Sequence, residues 1–208
     1  MSDRARRHYD RAAAGYDRRW AGYVRRTLDL LDAHARIGPD ERVLDVGCGT
    51  GTYVRRLLDR NADQAVVGAD VSPGMLAEAR RKAGPAPNAR FVEASAEALP
   101  FEAGTFDVVV SASALHYARR PDAALAEAAR VLRPGGRLVV LDWDRGYGPV
   151  AVLDVVLRVF DPAHGRTLSA NELDGLVARA GFESHSVRRI RQGVWGFAVV
   201  VAYTPASR

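Results

Sequence analysis

One short stretch constrains this chain more than any other. Val43-Leu44-Asp45-Val46-Gly47-Cys48-Gly49-Thr50-Gly51 is an apolar strand that runs into three alternating glycines, after which a helix is expected. Glycine lets the backbone turn sharply and approach a ligand closely. About 25 positions beyond Asp45, a second apolar run, Ala65-Val66-Val67-Gly68-Ala69, closes on Asp70-Val71. An acidic residue at the end of the next strand can accept hydrogen bonds from two ribose hydroxyls. Strand, glycine turn, helix, strand and acid follow in the order that a nucleotide-ribose site requires. The dinucleotide fingerprint G-x-G-x-x-G is not met, because its third glycine would fall at Thr52. Here the third glycine is Gly51, and the pattern is D-x-G-x-G-x-G.

The rest of the chain alternates strand and helix. A helix is expected to about Ala35, with Trp20, Tyr23, Val24, Thr27, Leu28 and Leu31 at helical spacing and Gly38-Pro39 after its end. Strands follow at 42–46, 65–70, 89–93, 106–110 and 137–142, with helices at 51–60, 73–83 and 121–132. Ser72-Pro73 supplies an N-cap and a first-turn proline, and Pro121 opens the later helix in the same way. Pro134-Gly135-Gly136 reads as a stop and turn into the strand Leu138–Leu141. Ser169-Ala170-Asn171-Glu172 reads as a capping box, followed by the stripe Leu173, Leu176, Val177, Ala180 and the stop Gly181. Two final strands, near 184–191 and 195–203, flank Gln192-Gly193 as a hairpin. Such alternation implies an α/β fold: a Rossmann-like, doubly wound, mostly parallel seven-stranded sheet with helices on both faces and a C-terminal antiparallel hairpin. Asp45, Asp70, Ser95 and Ser111 all fall at or just after strand ends, where ligands bind in such sheets.

Composition narrows the function classes. A chain of 208 residues suits one domain over 1–208 with a substantial core. No apolar run is long enough for a membrane span, and the polar N-terminus lacks a secretory core. Cys48 is the only cysteine, so no internal disulfide forms, and a cytoplasmic location is expected. A net charge of +5 raises the question of nucleic acid. Against it, Lys82 is the only lysine, and the arginines lie in scattered pairs such as Arg6-Arg7, Arg25-Arg26 and Arg188-Arg189. Abundant alanine and glycine point to GC-rich coding instead, and a nucleic-acid partner is not expected. The histidines His8, His34, His116, His164 and His185 are dispersed without metal-ligand spacing.

The D-x-G-x-G-x-G stretch resembles motif I of class I S-adenosylmethionine-dependent methyltransferases, whose ligand has no pyrophosphate to seat on a helix N-terminus. The resemblance spans roughly residues 40–142. Asp70-Val71-Ser72-Pro73-Gly74-Met75-Leu76 is similar to the second strand and its helix. Phe91 to Phe101 is similar to the third-strand segment, Phe106 to His116 to the fourth strand and its loop, and Arg130 to Leu138 to the junction with the fifth strand. Quinone-biosynthesis and other small-molecule methyltransferases (the methyltransferase type 11 domain) share this texture. Tyr9-Asp10, Ala13 and Tyr16-Asp17 look like the group's N-terminal Y-D-x-x-A-x-x-Y-D element. The resemblance implies methyl transfer to an O, N or C nucleophile of a small-molecule acceptor, with a helical lid over 1–36, a cofactor core over 40–142 and an acceptor side over 143–208. Non-methylating chemistry on the same cofactor, or a ligand-binding or RNA-associated protein without turnover, are the alternatives. Oligomeric state is not legible.

For the site, the resemblance implies that Gly47, Gly49 and Gly51, with Cys48 among them, shape the loop under the methionine moiety and ribose. Cys48 itself reads as a small buried filler. Asp70 is to bridge the ribose hydroxyls, Val71 and Met75 to flank adenine, and Ser111 to offer its carbonyl to the ammonium group. Met75 reads equally well as core. Asp45 either orients the loop or reaches the amino group through water. Tyr16 is either a lid over the methionine end or a core aromatic. Where the family commonly has Asp after the third strand, this chain has Ala94-Ser95, which leaves the adenine amino group to the Ser95 hydroxyl or the backbone of Ala96 and Glu97. On the acceptor side, His116 is the candidate catalytic residue, as base or as positioning group, against a purely structural reading. His164, Arg166 and Trp143 are candidate substrate residues, with Asp142 and Asp144 beside Trp143. The apolar segment 150–160, with Asp154 and Arg158 paired four apart, is expected as a helix buried nearly all round against the N-terminal helix. It is either the lipophilic wall of an acceptor pocket or plain core.

Overall fold

The computed structural model describes residues 3–160, 164 and 166–206, and the side chains of these from residue 6 onward. Helix α1 (Asp3–Ala35) leads into β1 (Val43–Val46), α2 (Thr52–Arg60), β2 (Val66–Asp70), α3 (Pro73–Ala83), β3 (Ala89–Glu93), β4 (Phe106–Ala112), α4 (Pro121–Val131), β5 (Leu132–Trp143), α5 (Gly148–Phe160), α6 (Ala170–Arg179), β6 (Ser184–Gln192) and β7 (Trp195–Tyr203). The seven strands form one sheet in the order β3-β2-β1-β4-β5-β7-β6. Every pairing from β3 to β5 is parallel, and β7 runs antiparallel between β5 and β6. Parallel neighbours need crossovers, which α2, α3 and α4 provide. The winding reverses between β1 and β4, and a crevice opens at their carboxyl ends, as expected at such a switch point.

Alternation along each strand divides the core between the two faces. Val108, Val110, Val139 and Leu141 pack with Leu28 and Leu31 of α1 and Val54 and Leu57 of α2. Val109, Leu138 and Val140 pack on the other face with Leu125 and Ala128 of α4 and Leu173 and Val177 of α6. All four β1 residues are buried, Asp45 included. The caps form as the residue order implies. Ser72 Oγ accepts from the Met75 backbone N–H at 3.1 Å, and Ser169 and Glu172 make a reciprocal capping box.

Two expectations need correction. β5 pairs already at Leu132, opposite Phe106. It slips over residues 133–136, where Gly135 takes φ 71°, and then pairs without interruption from Arg137. The Pro-Gly-Gly run is therefore an irregularity inside a strand. The second correction is larger. α5 is not buried all round, nor does it line the crevice. It packs on β7 through one face, with Val150 and Asp154 buried. Val152, Val155, Val156, Val159 and Phe160 face outward, Val159 72% and Phe160 79% exposed. The Asp154–Arg158 pair does form, at 2.6 Å. Val155→Ser should therefore change unfolding free energy by less than about 0.5 kcal/mol. Val150→Ala should cost about 2 kcal/mol. Denaturant titration of both variants checks this.

Candidate active site

Each glycine of the loop serves a different need. Gly47, Gly49 and Gly51 all adopt positive φ (74°, 52° and 71°), where a side chain is strained. A Cβ on Gly47 would stand 2.3 Å from Ala114 Cβ, and one on Gly51 would stand 2.8 Å from Ala79 Cβ. These two let β1 close on the β4 loop and α2 close on α3. A Cβ on Gly49 would meet nothing within 4 Å, so that position opens into the crevice. The Gly49 N–H donates to Asp70 Oδ2 at 2.9 Å, and the Ser72 N–H donates to Oδ1 at 2.9 Å. The loop and the acid thus organise each other. Each Asp70 oxygen keeps a further lone pair for a ligand hydroxyl.

The crevice brings together nearly all the residues expected of the cofactor site: Tyr16, Asp45, Gly47, Cys48, Gly49, Asp70, Val71, Met75, Ser95, Ala96, Glu97 and Ser111 line it. Gly51 lies one residue behind the wall and shapes the turn. Ser95 Oγ accepts from the Glu97 N–H at 3.2 Å, which folds the β3 loop over the crevice. Cys48 is a filler. Burial above all pushes its thiol far up, with the charges of Asp45 and Asp70 acting in the same direction, so no thiolate is available.

The electrostatics favour a cation. Burial first, and then the charge of Asp70, push the Asp45 carboxyl up to about 7. Burial also raises Asp70, and only the backbone N–H groups of Ser72, Gly49 and Val71 oppose it. Two acids crowded at the ends of adjacent strands would be relieved by a positive ligand. Tyr16 answers to the same field: burial, Asp70 and Asp17 lift its hydroxyl to about 12.

α1 is tied across this crevice by two aspartates. Asp10 Oδ1 accepts from Ser72 Oγ at 2.6 Å and from the Gly74 N–H at 3.0 Å, at the N-terminus of α3. One turn pair later, Asp17 takes Lys82 Nζ and Thr50 Oγ, each at 2.6 Å. Burial works against the Asp17 charge, but Lys82, Thr50 and Thr52 outweigh it and its pKa falls below the ordinary value. The tyrosine just before each aspartate faces inward. Tyr9 packs edge-on against Tyr16 and Tyr117, and all three rings line the crevice with Tyr23. Lys82, Tyr9 and Tyr117 were not singled out from sequence as site residues, although Tyr9 lies in the Y-D element.

The acceptor-side candidates fall behind the crevice wall. His116 is buried in a 3-10 turn (Leu115–Tyr117), with its Nδ1 at 2.6 Å from Asp142 Oδ1 and its ring stacked on Trp143 at 4.7 Å. Trp143 Nε1 donates to Tyr23 Oη at 2.7 Å, and Tyr23 Oη lies 2.5 Å from Ser113 Oγ. His164 Nε2 lies 2.8 Å from Asp154 Oδ1. None of His116, Trp143 and His164 lines the crevice directly. Arg166 is turned instead to Glu172, beside Arg145, and Asp144 caps the backbone of Gly146 and Ala170. Neither reaches the crevice.

Residues 44–140 match the family described as "Methyltransferase domain". A demethylmenaquinone methyltransferase of Thermus thermophilus is 45% identical over 121 residues, 58% of this chain and 54% of that protein. Another, of Beutenbergia cavernae, is 42% identical over 144 residues, 69% of this chain and 56% of that protein. The chain thus spans about half the length of these curated relatives. Among solved structures, an S-adenosylmethionine-dependent methyltransferase of Thermotoga maritima superposes with a TM-score of 0.76 at 24% identity, over 94% of this chain and 97% of that one, a likeness of fold. Residues 44–140 are therefore a methyltransferase domain. Its strands and helices follow the fold of the Thermotoga maritima methyltransferase, and the crevice lies at the carboxyl ends of β1, β2 and β4.

Two outcomes test the site. Asp45 has a raised pKa in the fold, so its contribution to stability falls as pH rises from about 4 towards 7. Asp45→Asn should therefore melt above the unaltered protein at pH 8, by about 2–4 °C for each kcal/mol gained, and this advantage should vanish at pH 4. Thermal melts at the two pH values decide it. Gly47→Ala should cost about 3 kcal/mol from positive φ and overpacking against Ala114. Adding Ala114→Gly should return part of that cost, as measured by denaturant titration.

Proposed function

We propose that the whole chain is an S-adenosylmethionine-dependent methyltransferase acting on a small, lipophilic, ring-containing acceptor of quinone type. The observation that carries this reading is the crevice itself: Asp70 held by the Gly49 N–H, Gly49 open to the ligand, and the Asp45–Asp70 pair in want of a cation. A ribose bearing two hydroxyls and a neighbouring positive charge meets each of these needs. Val71 and Met75 would flank the base, Ser95 with the backbone of Ala96 and Glu97 would meet its amino group, and Ser111 would face the ammonium group. When bound, adenosylmethionine supplies an electrophilic methyl group on a sulfonium.

The protein's share of the chemistry is placement. Holding two reactants at near-attack distance contributes as much as about 7–11 kcal/mol in favourable systems. Tyr9, Tyr16, Tyr23 and Tyr117 form an aromatic enclosure that would exclude water and stack a flat acceptor. The quinone assignment draws on the two demethylmenaquinone methyltransferases and on this enclosure. His116 is the candidate to position or deprotonate the acceptor, and Asp142 fixes its ring by accepting from Nδ1.

Thermal unfolding with S-adenosylmethionine, S-adenosylhomocysteine and NAD, each alone, tests the cofactor reading. A ligand at about 100 times its Kd stabilises by about 2.7 kcal/mol. A shift with both adenosyl ligands and none with NAD is expected, and Asp70→Asn should remove most of it. No shift at millimolar adenosyl ligand rejects the reading. Detection of S-adenosylhomocysteine after incubation with a hydroquinone then separates methyl transfer from other chemistry on the same cofactor.

A further inference from the structure

Most of the large apolar side chains that stand exposed among the described residues sit on one helix, α5. Val152, Val155, Val156, Val159 and Phe160 are 44% to 79% exposed. They recur at intervals of three and four residues, so they form one stripe along the helix. Asp154, the only acid of α5, is buried away from the stripe and paired with Arg158. No acidic side chain of α5 therefore interrupts the stripe.

Other exposed groups extend this surface at the crevice end of the sheet. α5 follows the carboxyl end of β5, and the turn between β6 and β7 lies at that same end, because Trp143 pairs with Phe197 and Gln192 with Trp195. The Tyr147 hydroxyl donates to the Gly193 carbonyl at 3.2 Å, which holds the hairpin tip beside the first turn of α5. Val194 on that tip is 70% exposed. Trp195 packs on Tyr23 at 5.1 Å and Tyr23 on Trp20 at 6.1 Å, so an aromatic run carries over to the exposed Trp20 of α1.

The charge left over beside this surface is positive. Arg18, Arg19, Arg25 and Arg26 are exposed near Trp20, and Arg191 is exposed on the hairpin. Arg19 lies over the Trp20 ring at 5.6 Å and Arg191 over the Tyr147 ring at 5.1 Å. Nearby acids are already matched among the described residues: Asp17 by Lys82, Asp144 by Arg189, and Glu172 by Arg145 and Arg166. None of the five arginines takes part in those pairs.

A second copy of the chain is a poor match for this surface. The 13 residues of α5 make a strip about 20 Å long and about 10 Å wide. That is about 200 Å², against about 800 Å² for each partner of a standard interface. RNA would answer the arginines but leave the valines without a partner. A bilayer with anionic headgroups answers both. The apolar stripe enters the acyl boundary, Trp20 sits at headgroup level, and the arginines reach phosphates while their stems stay in the apolar layer. We infer that the outer face of α5, the hairpin tip and Trp20 form a docking surface for an anionic lipid bilayer. Docking of this kind needs neither the cofactor nor the acceptor proposed above.

The test uses the full chain without cofactor. Vesicles of equal parts phosphatidylcholine and phosphatidylglycerol should carry the unaltered protein down on sedimentation. Vesicles of phosphatidylcholine alone should bind it at least about tenfold more weakly. Raised salt should weaken binding to the mixed vesicles. Val155→Ser with Val159→Ser alters exposed positions only, so the melting temperature should hold while binding to mixed vesicles falls at least about tenfold. Arg19→Gln with Arg191→Gln should bring a similar loss on mixed vesicles and little change on neutral ones. Absence of binding to the mixed vesicles overturns the inference. So does a valine variant that binds them as well as the unaltered protein; with the arginine loss intact, that result marks a polyanion site of the RNA kind. An unaltered protein that sediments as a dimer, with a valine variant that sediments as a monomer, assigns the face to a second copy and likewise overturns it.

Discussion

Two carboxylates at the ends of neighbouring strands set the terms for everything around them. Asp45 and Asp70 are brought together because β1 and β2 are parallel and adjacent, with Asp45 in register with Gly68 two residues before Asp70. Among the described residues, neither is paired with a basic side chain. The protein answers this crowding with backbone N–H groups from the glycine loop and the start of α3, and by letting Asp45 hold its proton near neutrality. The glycine loop must therefore turn where it does, and α3 must begin where it does. The site is held ready for positive charge by a local cost that a ligand removes.

Helix α1 repeats this economy. In the Y-D-x-x-A-x-x-Y-D element the tyrosines and aspartates act as a unit. Asp10 and Asp17 grip the cores of α3 and the glycine loop, and that grip turns Tyr9 and Tyr16 into the crevice. The same residues that fasten the helix thus determine which rings face the crevice. The Gly74 contact shows how close this docking is: a Cβ there would meet the Asp10 carbonyl oxygen at 2.9 Å.

Most of the sheet was legible in the residues because its signals are local. Apolar runs, prolines after a cap, and the capping box at Ser169 each act within a few positions. That these residues share one crevice was legible for the same reason, since a parallel sheet places every strand's carboxyl end on one side. What was not legible depends on who covers whom. Valines at 152, 155, 156 and 159 give a stripe, but a period cannot say whether anything packs on it, and here solvent does. The pairings His116–Asp142 and His164–Asp154 join positions 26 and 10 apart, and Lys82–Asp17 joins positions 65 apart. No spacing rule connects such residues. Arg166, a reasonable anion ligand by type, is drawn to Glu172 six positions away, where it supports the start of α6.

The Lys82 contact has one more consequence. It is the only lysine in the chain, so the only side-chain amine is the one that fastens α1 to α3. With Nζ engaged by Asp17, Thr50 and Thr52, an amine-directed reagent finds its target chiefly when α1 lets go. Labelling at this single position therefore reports whether the contact between Lys82 and α1 is held, through a side chain already in the sequence and with no introduced probe.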